Sequence, residues 1–174
     1  MAGRHRSIAS VLALGALAAL APGCGGGSDF KRAAPPPPPA PARAADAEVI
    51  RAWADQLRTG HIDAATKLFA VPATVQNGTP PIVLDSTESV QGFNSSLPCG
   101  ARLLRTLRRG RYTVGVFRLT GRPGGDCGSG TGFEAATAFL IRGGKILEWR
   151  RVDVPKGGTP VPSRPPRDTP SQSL

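Results

Sequence analysis

The chain has 174 residues, with 22 Lys or Arg against 12 Asp or Glu and a formal charge of +10. It holds two histidines and three cysteines without C-x-x-C spacing, and no G-x-S-x-G, H-E-x-x-H or P-loop motif. Those absences leave no sequence ground for a metal site, a hydrolase nucleophile or a nucleotide cradle, and no cofactor is expected.

Arg4, His5 and Arg6 precede an uncharged apolar run of 14 residues, Ile8 to Ala21. That length suits the h-region of an export signal and falls short of the roughly 18 to 20 residues a spanning helix needs. The stretch before Cys24 resembles the lipobox of bacterial lipoproteins, with Gly23 as the small residue before a cysteine that receives diacylglycerol. It departs from that pattern in placing Leu20 four positions before the cysteine and Pro22 two before it. The resemblance implies a signal peptide over 1–23, acylation of Cys24, and anchoring at the outer face of the cell membrane. The other reading is an ordinary secretory signal cut near Ala18 or Ala19, which makes the protein secreted and Cys24 a free thiol. Exported proteins tend to pair their thiols, so one lipid anchor and one Cys99–Cys127 disulfide use all three cysteines.

Residues 24–45 read as a tether, three glycines followed by five consecutive prolines, Pro35 to Pro39, that favour a polyproline II spacer. Residues 155–174, with six prolines, read as a disordered tail. Between them, 46–154 is long enough for a single hydrophobic core.

The first elements of that domain are helical. Val49, Ile50, Trp53 and Leu57 recur at helical spacing, with Asp46 as the expected cap and Gly60 as the stop. Ile62, Ala65, Leu68 and Phe69 mark a second, shorter helix capped by Asp63. After Pro72, "ATVQNG" and "PIVLD" read as short strands, and "STESVQGFNSSLP" as a helix starting at Ser86 or Thr87. From Ala101 onward β character dominates. Two strands flank a turn at Arg109–Gly110, a glycine-rich loop follows, and Gly143-Gly144 marks a second hairpin. Pairing about Gly110 sets Cys99 opposite Gly121. Cys127 is six residues further on, in a loop free enough to fold back on Cys99. The order is α+β: two to three N-terminal helices, then a curved antiparallel sheet.

"WADQLRTGHIDAATKLFA" and the closing "RGGKILEW" are similar to the opening and the final hairpin of the nuclear transport factor two-like superfamily, which includes SnoaL-like cyclases and ketosteroid isomerase. Competing α+β arrangements are cystatin-like, with one helix before its sheet, and ferredoxin-like, in which helices and strands alternate. The superfamily resemblance spans nearly all of 46–154. It implies a cone, a bent sheet wrapped on its helices with an apolar cavity at the open end, and it allows a dimer. Its enzymes use a cavity carboxylate or histidine as general base beside an oxyanion donor.

Candidates for that chemistry are few. Asp85, Tyr112 and Glu134 are the catalytic candidates; His61 and Asp63 fall in a turn where capping explains the acid. Glu134 and Glu148, on adjacent strands, suit cross-strand pairs with arginines. Between Ser89 and Gly125 there are seven arginines and no acid. Arg105, Arg108, Arg109 and Arg111 crowd the first hairpin, either as a face for lipid headgroups or an acidic envelope polymer or as a solvated sheet surface. Nucleic acid is not an expected partner of an exported chain with so few aromatics among these arginines. The favoured reading is a non-catalytic, surface-anchored domain binding a small apolar ligand or a partner. The alternative is a small isomerase- or cyclase-like enzyme with one cavity carboxylate.

Overall fold

In the first helix, α1 (Ala44–Arg58), the buried residues Ile50, Trp53, Ala54 and Leu57 form the single stripe that the spacing predicts. The computed structural model describes residues 40–160. The signal segment, Cys24, most of the tether and the tail beyond 160 lie outside the described residues. The helix begins two residues before the expected cap. Arg43 holds the N-cap position without a side-chain bond, and Asp46 instead accepts a hydrogen bond from Thr113 Oγ1 at 2.7 Å. A first-turn carboxylate suits the helix dipole, and here it also satisfies a buried hydroxyl of the sheet.

In the second helix, α2 (Ile62–Thr66), His61 holds the N-cap position without a side-chain bond, and Asp63, inside the first turn, accepts from Gln91 Nε2 at 2.7 Å. Strands β1 (Phe69–Gln76) and β2 (Ile82–Leu84) follow, then α3 (Thr87–Ser96). Ser86 caps α3 as expected, in a reciprocal box with Ser89. The remaining strands are β3 (Gly100–Arg109), β4 (Tyr112–Thr120), β5 (Glu134–Arg142), β6 (Lys145–Val152) and β7 (Thr159–Pro160). Both glycines of the β5–β6 turn have positive φ, +56° and +73°, a conformation that glycine adopts without strain.

The seven strands lie in the order β2-β1-β6-β5-β4-β3-β7. The sheet is antiparallel as expected except at one pair, which makes it mixed: β1 runs parallel to β6, with Val75 opposite Trp149. Side-chain alternation is the same in parallel and antiparallel pairs, so the residue pattern carries no direction. Register shifts in β3 and between β5 and β6 are the bulges that bend the sheet. The short β7 pairs with Arg105 and Thr106 of β3, so 155–160 is placed against the sheet where disorder was expected. A proline suits such an edge strand because its missing N–H faces no partner.

One face of the sheet packs on the helices. Trp53 is at its centre, edge-on to Phe117, Phe139 and Trp149 at 6.1, 5.6 and 6.3 Å. Its indole N–H donates to the fully buried Asn94 Oδ1 at 2.9 Å. Gly115 lets α1 approach closely, since a Cβ there would stand 2.8 Å from the Phe117 ring and 3.1 Å from Ile50. The opposite face carries a second apolar cluster of Leu107, Val114, Val116, Ala136 and Ala138. No helix among the described residues is long and apolar enough to cross a membrane.

Candidate functional site

Five elements end together around a cavity of about 120 Å³. Leu57 comes from the last turn of α1, and Leu97 to Cys99 from the link into β3. Ala101 and Leu119 come from the open end of the β3–β4 pair, Ala135 to Thr137 from β5, and Trp149 and Arg151 from β6. Asn77, just past β1, completes the rim. The cavity therefore opens at the end of the sheet away from both hairpin turns, where the cone resemblance places it. Its volume is well under the roughly 300–1,000 Å³ of drug-sized sites and is comparable to an engineered cavity of about 150 Å³ that holds benzene.

The wall is apolar and aromatic, with both tryptophans of the chain in it. Trp149 Nε1 is buried without a hydrogen-bond partner, whereas the Trp53 N–H is engaged by Asn94. The charged group of the lining is Arg151, exposed at the rim and without an ion pair among the described residues. Among the described residues no carboxylate or histidine lines the cavity. Arg151 and Asn77 were not singled out from sequence. The signal was present for Arg151, which stands two residues from Trp149 and so shares its face of the strand.

The three catalytic candidates lie elsewhere and are not brought together. Asp85 is exposed just past β2. Glu134 accepts from both terminal nitrogens of Arg105 at 3.1 Å and pairs more loosely with Arg118 at 3.8 Å. Tyr112, half-buried, donates to Glu148 Oε2 at 2.9 Å, and Glu148 also takes Arg150 Nε at 2.8 Å and Arg111 at 2.7 Å. Burial pushes the Glu148 carboxyl up, but the hydrogen bonds from Arg150 and Tyr112, with the charges of Arg150 and Arg111, outweigh it. Glu148 is thereby held below the ordinary glutamate value. The Arg–Glu pairs expected of Glu134 and Glu148 are both present. Among the described residues no cluster of three His, Cys, Asp or Glu stands ready for a metal.

The seven arginines serve different ends. Arg122 is buried and donates to the carbonyls of Leu97 and Ser95 at 2.8 and 2.6 Å, tying the glycine loop to the end of α3. Arg105 holds the C-terminal segment through the carbonyls of Gly157 and Pro155 as well as Glu134. Arg108 donates to Gly110 O at the hairpin turn. Arg109 and Arg111 are exposed at its tip. Cys99 and Cys127 are bonded, with Cα atoms 4.5 Å apart, which pins the same loop beside the cavity.

No protein-family model matches this sequence, and no curated protein matches it. Among solved structures the chain is similar to a de novo designed protein with a curved β-sheet, at 15% identity and a TM-score of 0.50, over 63% of this chain and 85% of that one. It is similar to a nuclear transport factor two-like protein of unknown function from Cytophaga hutchinsonii, at 11% identity and a TM-score of 0.48, over 61% and 87% of the two chains. A hypothetical protein of ketosteroid isomerase-like fold from Catenulispora acidiphila, solved with trimethylamine, is similar at 20% identity and a TM-score of 0.45, over 60% and 84%. Further neighbours carry polyketide cyclase or ketosteroid isomerase names. At such identities the likeness is one of fold, the α+β cone that the sequence resemblance implied.

Proposed function

We propose that this protein is an exported binding domain, lipid-anchored at the outer face of the cell membrane, that holds a small ligand in its cone without transforming it. The observation that carries the reading is the chemistry of the cavity: among the described residues, an apolar, aromatic wall with one guanidinium at its rim and no acid within it. A general base for isomerase- or cyclase-type chemistry has to reach the substrate, and the candidate carboxylates are occupied or exposed elsewhere. The volume suits a single ring or a short branched chain, and Arg151 favours a carboxylate at the open side.

Both tryptophans line the cavity, so intrinsic fluorescence reports directly on occupancy. Residues 24–174 carrying Cys24→Ser, titrated with benzoate, are expected to show a saturable change that the neutral analogue toluene produces more weakly. Arg151→Ala is expected to weaken benzoate about tenfold and leave toluene unchanged, in line with loss of one charge-assisted hydrogen bond. Absence of a saturable change with either compound, or equal weakening of both, overturns the ligand assignment.

A further inference from the structure

Several basic residues far apart in sequence meet at one end of this fold. The turns of both hairpins, at Gly110 and at Gly143-Gly144, lie at the end opposite the cavity, because β4 and β5 pair with Thr113 opposite Phe139. Arg109 and Arg111 stand at the first turn, Arg142 and Lys145 at the second. β1 starts at the same end, with Phe69 opposite Ile146, which brings Lys67; the Lys145 ammonium donates to the Lys67 carbonyl. The start of α1 adds Arg43, since Asp46 of its first turn bonds Thr113.

Arg43, Lys67, Arg109, Arg111, Arg142 and Lys145 are all exposed. Of the acids near them, Asp46 is engaged with Thr113, Glu48 with Arg51, and Glu148 with Tyr112, Arg111 and Arg150. Asp85 and Glu88, exposed at the β2 edge, also stand towards this end, since Leu84 pairs with Ala73 and α3 starts just beyond, so the six cations face two acids without a described partner. The chain enters the domain at this same end, where the Arg108 N–H donates to the Ala40 carbonyl at 3.0 Å.

We infer that this basic end docks on an anionic lipid bilayer, so that the domain stands with its cavity opening away from the membrane. The described chain joins the domain at this end, through Ala40, which places the basic surface beside the point of attachment. The strands between the two ends are 8 to 10 residues long, which at about 3.3 Å per residue sets the cavity rim about 25–30 Å from the docked surface. Exposed cations within a screening length of an anionic surface are attracted to it, and those at the far end are not.

The inference rests on the anchoring part of the reading above, and it is tested on protein that cannot be acylated, so that docking and anchoring read out separately. Residues 24–174 carrying Cys24→Ser are mixed with phosphatidylcholine vesicles with and without phosphatidylglycerol, and the bound fraction is measured by sedimentation. Binding is expected only with phosphatidylglycerol, and it is expected to weaken as salt rises from about 0.01 M to about 0.15 M. Arg109→Gln with Arg142→Gln, both at hairpin ends and without described partners, is expected to lower the partition coefficient about 25-fold, fivefold per charge removed. Arg102→Gln with Arg118→Gln removes the same charge at the cavity end and is expected to change it less than twofold. Equal retention by neutral and anionic vesicles, or an equal loss in the two double variants, overturns the proposal.

Discussion

Glu148 gathers three donors on the sheet face away from the helices, with its own side chain only 13% exposed. Tyr112 of β4 reaches Glu148 of β6 across the intervening β5, where Leu140 pairs with Glu148, so the contact spans two ladders and no local spacing announces it. Because folding depresses its pKa, Glu148 contributes stability that is fully present above the ordinary glutamate value of about 4.3 and is lost as pH falls through the lower folded value. Glu148→Gln is expected to cost about 1–3 kcal/mol at neutral pH, since Tyr112 and Arg150 keep a weaker acceptor. Arg111 contributes little of this, because its side chain is 58% exposed. Urea unfolding midpoints measured against pH check the sign: the gap between variant and parent should close once Glu148 is protonated in the folded parent. A gap that persists unchanged into strong acid would refute this account.

Among the elements, the glycine-rich loop between β4 and β5 depends most on fastening. It is held at one point by the Cys99–Cys127 bond, 28 positions apart, and at another by buried Arg122. The chain-entropy argument assigns a closed loop of that size about 3–4 kcal/mol. Cys99→Ser with Cys127→Ser is therefore expected to lower the unfolding free energy by about that amount. Peptide mapping of the unreduced parent should recover the two cysteines cross-linked, and recovery of both as free thiols would remove the basis of the prediction. The pairing was legible because the hairpin turn at Gly110 fixes where Cys99 falls. The role of Arg122 was not legible, because in sequence it is one more arginine of a basic stretch. The helix ends show the same division: the Ser86–Ser89 box is local and readable, whereas Asp46 was misassigned as a cap because its partner, Thr113, is 67 positions away.

The domain as a whole has two unlike ends, an apolar cavity rimmed by Arg151 and a basic surface where the chain enters. That polarity acquires meaning if the chain is tethered. Cells expressing the full chain and fed radiolabelled palmitate are expected to label it, and Cys24→Ser is expected to abolish the label and release the protein into the medium. Unlabelled parent found wholly soluble outside the cell would contradict anchoring while leaving the vesicle experiment to stand or fall alone.

From sequence alone came the α+β order of elements, the places of the helices and hairpins, the disulfide pair and the cone-like resemblance. The helices and hairpins rest on periodicity, capping and turn chemistry, which act over a few neighbouring residues, the disulfide on cysteine parity and the Gly110 turn, and the cone on likeness to a known superfamily. The tertiary structure alone decided that β1 runs parallel to β6 and that Arg105 and Arg122 are structural. It also decided that Arg151 rims the cavity and that Arg43, Lys67, Arg142 and Lys145 join the hairpin arginines at one end. These depend on strand direction, register and packing between segments up to about a hundred residues apart in the chain, and no local pattern encodes which distant residues will share a face or an end.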